Sequence, residues 1–333
     1  MKKKSVTLWL GAALFLALLL SLSLGRYAVP PGQVVRILWA RVFPVHVTWT
    51  PQMETAVLSL RLPRILLALM VGGALSAAGT AYQTVFRNPM AAPDILGASS
   101  AAGTGAALGI LLGGGHIVTT VLAFLLSLGS LALVYAVGRR TRGNQLLNLL
   151  LSGMIISSLF TAATSYLKLV ADPNDQLPAI TYWLMGSLSG RRWETVGFAV
   201  IPLLLGLMPL LLLRWRMNLL TAGEEEAISM GIDLRKLRLT VVLCATLLTA
   251  ASVSVSGMIG WVGLVIPNLS RKWVGSDCRR LLPVSTLLGA LFLLVVDDVS
   301  RCLLTAEIPI GILTAVIGAP FFLCLMTRKE HVL

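Results

Sequence analysis

The chain has 333 residues, of which 56% are hydrophobic and 12% are charged, and its formal net charge is +13. An ordinary soluble domain carries about 25% charged residues, so this composition requires lipid to cover part of the surface. The basic residues stand in short clusters between apolar runs, which is typical of membrane topology and argues against nucleic acid as a partner. The four cysteines are far apart without a CxxC spacing, so neither a disulfide framework nor a metal site is predicted.

The apolar runs predict an all-α integral membrane protein, with about ten transmembrane helices in one domain covering residues 1–333. The first run extends from about Val6 to Leu24, which is long enough to span a bilayer, and no small-residue cleavage site follows it. We therefore interpret it as a helix and not as a signal peptide. The stretch 259–274 is shorter, contains Pro267, and is expected to be an incomplete helix. The other runs cover roughly 62–83, 92–113, 117–138, 146–170, 195–213, 238–258, 281–301 and 309–327.

The placement of Lys and Arg favours ten crossings over nine. With ten crossings and an inside N-terminus, most of the 27 basic residues fall in inside segments, as the positive-inside rule requires. Nine crossings would place the basic tail around Arg328 and Lys329 outside. We therefore expect both termini in the cytoplasm. Small-residue clusters such as Gly72-Gly73-Ala74, Ala77-Ala78-Gly79 and 98–103 predict closely packed helices.

Signatures of catalysis are missing from the sequence. It contains no Walker A, HExxH or GxSxG pattern, so we expect neither an enzyme nor a chain that binds ATP by itself. Few ionisable residues fall in mid-helix, which disfavours a carrier driven by an ion gradient. Asp297 and Asp298 precede Arg301 by four and three residues, which indicates either a local ion pair or a charged rim at the mouth of a path.

Two connecting segments are distinctive. In the inside loop 214–237, three acids follow Gly223 at a position suited to the first turn of a short helix, and Gly231 suits its C-terminal stop. This loop is either a plain surface helix or a docking helix for a soluble partner that supplies energy. On the outside, Arg61-Leu62-Pro63-Arg64 opens the second predicted helix, as an interface anchor or as a basic contact for an acidic partner or an anionic ligand.

Several motifs in a fixed order, from about residue 60 to 325, resemble the signature of FecCD-type, BtuC-like permeases. They are Arg61-Leu62-Pro63-Arg64; the run Gly79-x-x-x-Gln83-x-x-x-Arg87-Asn88-Pro89-Met90-Ala91-x-Pro93-Asp94-x-Leu96-Gly97; Trp183-x-x-Gly186-Ser187-Leu188; Met230-Gly231-Ile232; the run from Gly257 to Pro267; Glu307-Ile308-Pro309-Ile310-Gly311; and Ile317-Gly318-Ala319-Pro320-Phe321-Phe322. The resemblance implies the BtuC-like fold, and a permease subunit of a type II ABC importer.

The resemblance also implies the partners and the cargo. Two permease copies, as a homodimer, would form the path within the lipid bilayer of a bacterial or archaeal cytoplasmic membrane. Two ABC ATPase subunits would bind the ATP and Mg, so this chain needs no cofactor, and an extracytoplasmic binding protein would deliver the ligand. The cargo would be a metal chelate, with ferric siderophores favoured over haem, cobalamin or molybdate. The alternative is a secondary transporter or channel acting without an ATPase.

Individual roles carry over to matching positions only. The resemblance implies that Arg61, Arg64 and Arg301 contact the binding protein. The segment 219–233 would couple to the ATPase through Gly223, Glu224, Glu225, Glu226, Met230 and Gly231. The cytoplasmic gate would lie at Asn144, Gln145, Leu146 and Leu147. One departure is Asn268, where the family usually has His; an amide retains hydrogen bonding and cannot titrate.

Overall fold

The computed structural model describes residues 3–25, 27–44, 46–140, 145–221 and 230–327. Its α-helices are α1 (Lys3–Ser23), α2 (Pro31–Trp39), α3 (Pro51–Glu54), α4 (Leu62–Val85), α5 (Ala98–Leu111), α6 (Gly115–Arg140), α7 (Gln145–Val170), α8 (Gln176–Leu184), α9 (Trp193–Met217), α10 (Leu234–Ser256), α11 (Val262–Val274), α12 (Cys278–Cys302) and α13 (Ile310–Thr327). A π-helical turn, Thr55–Arg61, joins α3 to α4, and 3₁₀ turns cover Pro93–Leu96 and Asn218–Leu220.

The ten predicted apolar helices are all present, and the all-α membrane fold is confirmed. Within the described ranges, seven segments are long and apolar enough to cross a membrane: Val6–Ser23, Pro51–Val85, Gly115–Gly138, Leu146–Val170, Trp193–Leu220, Leu234–Ser256 and Cys278–Cys302. The other three are the shorter helices α5, α11 and α13. A helix rises about 1.5 Å per residue, so the 13 residues of α11 cover well under the roughly 30 Å of a bilayer core.

The connection 26–61, between the first two predicted apolar runs, contains helices that the apolar runs did not predict. The amphipathic helix α2 buries Val34 and Ile37, and the second spanning segment begins at Pro51 rather than near 62. The Thr50 hydroxyl accepts a hydrogen bond from the Met53 amide at 3.3 Å, which caps this earlier start. Pro63 therefore lies inside a continuous helix, directly after the π-helical turn. Such a turn is one of the local adjustments that accommodate a proline in a membrane helix.

Helix α4 forms the centre of the bundle. Nearly all of its residues are buried, and it packs against α9, α10, α11 and α12. A Cβ atom on Gly72 would lie 2.3 Å from the Gly289 carbonyl oxygen, and one on Gly79 would lie 1.8 Å from that of Gly263. The predicted close packing at these small residues is thus confirmed. We call the end where α4, α9 and α11 finish the basal end, and the end where α1 and α12 finish the apical end.

Candidate functional site

The end of one helix, the start of another and a break between two further helices meet inside the bundle. Residues 257–261 form a non-helical break between α10 and α11. Gly257 (φ 70°) and Trp261 (φ 69°) in this break both have a positive φ. Helix α8 ends and helix α13 begins beside this break. A Cβ atom on Gly311 would lie 2.3 Å from the Met185 carbonyl oxygen, so the backbones of α8 and α13 approach too closely for any side chain.

The free backbone groups at these helix ends satisfy one another. The amides of Ile310 and Gly311 donate to the carbonyls of Gly186 and Met185 at 2.9 and 3.1 Å, and Ser187 donates to Ser256 at 2.7 Å. Inside a membrane no bulk water is present to satisfy such groups. Irregular backbone within a bilayer is tolerated where it is buried in protein or lines a cavity.

A cavity of about 580 Å³ lies against this junction. Most of its wall is apolar, and among the described residues its only charged lining residue is Asp94, whose carboxylate accepts a hydrogen bond from the Ser99 hydroxyl. The ring of Trp261 lies edge-on to Phe322, with 6.3 Å between ring centroids. The cavity is lined by Asp94, Ser99, Ser100, Leu184, Met185, Met258, Ile259, Gly260, Trp261, Gly311, Ile312, Ala315 and Val316. Such a wall can pass a bulky solute with few specific contacts, and it offers no fixed positive charge to hold an anion.

The three arginines predicted to contact a binding protein lie together at the apical end, and all three are buried. The Arg64 guanidinium contacts two carboxylates, with Nε 3.0 Å from Asp297 and Nη1 2.9 Å from Glu307. Arg301 pairs with Asp298 three residues earlier and donates to the Ser21 carbonyl at 2.5 Å. Arg61 donates to the carbonyl of Leu22 at 2.7 Å, and also to those of Ser23 and Tyr27. Their docking role stays a prediction.

These contacts refine the sequence interpretation of the apical acids. The local pair between Asp298 and Arg301 is present, as the spacing indicated. Asp297 was expected beside Arg301 on the same helix face, but it instead binds Arg64 of α4 and has no exposed surface. Glu307 was not singled out as a partner. The only sequence signal for it was its position in a motif shortly after α12.

The predicted coupling segment is described at its two ends, 219–221 and 230–233. Gly223, Glu224, Glu225 and Glu226 lie outside the described residues. Met230 is 56% exposed, and Gly231 has a φ of +69°, the left-handed conformation suited to a helix C-terminal stop. Leu219 and Leu220, the first two residues of the segment, are buried at the basal end.

Three side chains fasten the start of this segment. Asn218 donates from its amide to the Asp277 carboxylate at 2.8 Å and accepts from the Cys278 backbone amide at 2.8 Å. The Arg87 guanidinium donates to the Leu220 carbonyl at 2.7 Å. The Asn218 amide and the Arg279 backbone N–H hold the pKa of the Asp277 carboxyl below its usual range. Sequence reasoning missed Asn218 and Asp277, although an Asp directly before an apolar run is a helix-cap signal.

The predicted gate lies at the basal start of α7. Asn144 is outside the described residues, Gln145 begins the helix, and Leu147 is 53% exposed. About three turns further along α7, the Ser157 hydroxyl lies 2.8 Å from that of Ser100, a cavity-lining residue. The gate role is untested and stays a prediction.

Asn268 is fully engaged in hydrogen bonds. Its amide donates to the carbonyls of Pro89 and Leu264, both at 2.9 Å, and its oxygen accepts from Arg271 at 2.8 Å. Arg271 also donates to Gln83 at 3.0 Å. This network joins the end of α4 to α11 through a neutral amide. Among the described residues, no group of three or more His, Cys, Asp or Glu side chains is placed to hold a metal ion.

Comparisons with known proteins agree on one family. A profile of the FecCD transport family matches residues 13–328. The molybdate import system permease MolB of Haemophilus influenzae is 42% identical over 96% of this chain and 94% of its own length. A probable iron chelatin permease of Helicobacter pylori is 42% identical over 83% of each chain. The cobalamin import permease BtuC of Halobacterium salinarum is 39% identical over 93% of this chain and 85% of its own.

Solved structures share the fold. A structure described as an inward-facing metal-chelate type ABC transporter superposes with a TM-score of 0.87 at 40% identity, covering 98% of this chain and 99% of its own. PsaBC from Streptococcus pneumoniae, at 14% identity and a TM-score of 0.58, shares the fold alone.

Proposed function

The chain belongs to the FecCD transport family, and from this we propose that it is the membrane subunit of an ABC importer that carries a metal chelate into the cytoplasm. The observation that carries the proposal is the match of nearly the whole chain, at a TM-score of 0.87, to a metal-chelate type ABC transporter. The chain has the multi-pass architecture that such a subunit needs. Its contribution is a path and a mechanical link, without a catalytic residue of its own.

The cavity beside the helix break is proposed to be part of the translocation path, with its lining residues as the wall. Relatives are named for molybdate, for iron chelatin and for cobalamin, so the names alone leave the cargo open. In the described part of the chain, none of the lining residues is basic, and one, Asp94, carries a carboxylate. A small oxyanion would find no cationic partner there, whereas a large chelate can pass an apolar wall with few contacts. We therefore favour a ferric siderophore or a related chelate over molybdate.

The ATPase partner would act on the basal end of the permease. We assign this end to the cytoplasm because its connections are rich in Lys and Arg. Arg214, Arg216, Arg235, Lys236, Arg271, Lys272, Arg279 and Arg280 all lie in or beside these connections. Helix α1 also starts at this end, in keeping with a cytoplasmic N-terminus. An ATPase partner, which holds the ATP and Mg, would bind the segment 219–233, where Met230 is exposed.

A binding protein would dock at the apical end. Arg61, Arg64 and Arg301 are buried and held by groups of this chain, so docking through them requires an acidic partner residue to replace an internal one. Glu307 has the most exposed side chain of the three carboxylates in the cluster, at 25%. It is therefore the carboxylate that an acidic residue of the binding protein would replace most easily.

The test is reconstitution in liposomes of the permease with its ATPase and binding protein. The binding protein is first screened against ferric siderophores, haem, cobalamin and molybdate, and the ligand that binds is used for uptake. We expect uptake only with ATP and with an ATPase whose Walker A lysine is intact. A permease that accumulates the ligand from a proton gradient alone would instead be the secondary transporter of the alternative hypothesis. A binding protein selective for molybdate would contradict the proposal that the cargo is a metal chelate, but not the proposal that the chain is an importer permease.

A further inference from the structure

The start of the coupling segment is attached to two different helices. Asn218 accepts a hydrogen bond from the first backbone amide of α12 and donates to Asp277, the residue that caps this helix. Arg87, two residues after the end of α4, donates to the carbonyl of Leu220. Both attachments lie within four residues of chain, directly before the part of the segment that would contact an ATPase.

Arg87 is held in an unusual backbone conformation. Its φ of 50° lies in the left-handed region, which is sparsely populated for residues other than glycine. Such a conformation persists where the surroundings fix it, and it is often found at functional positions. Here the following residues turn toward α11, where Asn268 donates to the Pro89 carbonyl.

Helix α11 extends from the contact between Asn268 and Pro89 toward the cavity. The basal half of the helix is tied to α4 by Asn268, Arg271 and Gln83. Its first residue, Val262, follows the break 257–261 that borders the cavity, and Gly263 packs directly on Gly79 of α4. A rigid helix of 13 residues thus joins the basal contacts to the proposed path. Coupling between distant sites travels through contiguous packed contacts of this kind.

We propose that Arg87, Asn218 and Asp277 are positioning residues for energy coupling: they fasten residues 218–221 to α4 and α12, so that displacement of the coupling segment moves α11 and the break 257–261 beside the cavity. This inference rests on the proposed function, because it needs an ATPase to move the segment.

The link between Asn218 and Asp277 can be broken and rebuilt by exchange. In Asn218→Asp a second carboxylate faces Asp277, so the side-chain bond is replaced by repulsion. Adding Asp277→Asn restores a carboxylate and an amide with reversed positions, and Asn is as good a helix cap as Asp. Asp277 is exposed, and hydrogen bonds near water contribute little net stability, so both variants should fold. The matched control is Asn174→Asp, the same change in an exposed turn at the apical end.

The experiment measures hydrogen–deuterium exchange by mass spectrometry on the complete importer in lipid nanodiscs, with and without ATP and vanadate. The readout is the nucleotide-dependent change in exchange at residues 257–261, which needs no knowledge of the cargo. We expect Asn218→Asp to abolish this change while leaving the nucleotide-free exchange and the melting temperature unaltered. The double variant should recover the change, and Asn174→Asp should behave as the parent.

The outcomes separate this inference from the proposed function. If the parent permease neither binds the ATPase nor responds to ATP, the proposed function fails. If the parent responds and Asn218→Asp responds equally, only the coupling inference is overturned. Failure of the double variant to recover the response would also count against the inference, because the rebuilt bond would then be irrelevant.

Discussion

At the scale of single residues, Arg64 is the side chain whose role depends most on its partners. Asp297 is fully buried and binds Arg64 across two helices. Removing one partner of a buried ion pair leaves an uncompensated charge, which typically costs about 3–5 kcal/mol. The apical cluster contains three guanidinium groups and three carboxylates, so its formal charges cancel, although Arg64 and Arg301 pair with carboxylates whereas Arg61 is held by backbone carbonyls. Such a neutral set stabilises the fold and hides its charge from an approaching protein.

We therefore expect Arg64→Met to lower the free energy of unfolding by about 3–5 kcal/mol, measured as thermal unfolding of the detergent-solubilised permease. The control is Arg41→Met. Arg41 pairs with Glu54 at 2.9 Å, but both side chains are substantially exposed, so its loss should cost about 0–1 kcal/mol. Equal losses for the two variants would contradict a structural role for Arg64.

The same variants address docking. The double variant Arg64→Met with Asp297→Leu removes both buried charges and should regain part of the lost stability. If its affinity for the binding protein is then normal, Arg64 has no direct contact with that protein. A weak affinity in a stable double variant would support the predicted docking role.

At the scale of elements, the short helices differ from the long ones in what fixes their ends. Helix α13 begins where its first amides bind the carbonyls that terminate α8. That contact is possible because Gly311 has no side chain. The helix start is thus set by a neighbouring segment more than 120 residues earlier in the chain, and not by a local cap.

We expect Gly311→Ala to reduce stability by about 1–3 kcal/mol or more, because its Cβ would meet a backbone oxygen that cannot move freely. The measurement is the yield of monodisperse permease on size exclusion, followed by thermal unfolding. The matched control is Gly129→Ala in α6, where a Cβ meets nothing within 4 Å. A Gly311→Ala protein as stable as the control would show that α8 and α13 separate at no cost.

At the scale of the whole molecule, the cavity is incomplete within one chain. Val316 lines the cavity and is 65% exposed, so this wall is open on the side of α13. A polar cargo in a path open to lipid would be exposed to hydrocarbon, which is costly for polar groups. A second copy of the chain would close that side, in line with the homodimer predicted from the family resemblance.

We expect Val316→Cys to form a covalent dimer with a short bifunctional maleimide in native membranes, in a background of Cys302→Ser and Cys324→Ser. Leu212→Cys is the control, because Leu212 lies on α9, is 78% exposed and does not line the cavity. A crosslinked dimer of Val316→Cys, without one of Leu212→Cys, would support a path shared by two chains along α13. No dimer, or equal dimers for both variants, would contradict it.

The sequence by itself determined the membrane environment, the ten apolar helices, the close packing at small residues and the local pair between Asp298 and Arg301. These properties depend on composition or on spacing within one helix, and both can be read along the chain. The tertiary structure decided the partners of Arg64, the start of α13, the helical nature of the connection 26–61 and the attachment of Asn218 to α12. Each depends on groups that are distant in sequence and meet only after packing, or on a local cap and a π-helical turn that hydrophobic periodicity does not reveal.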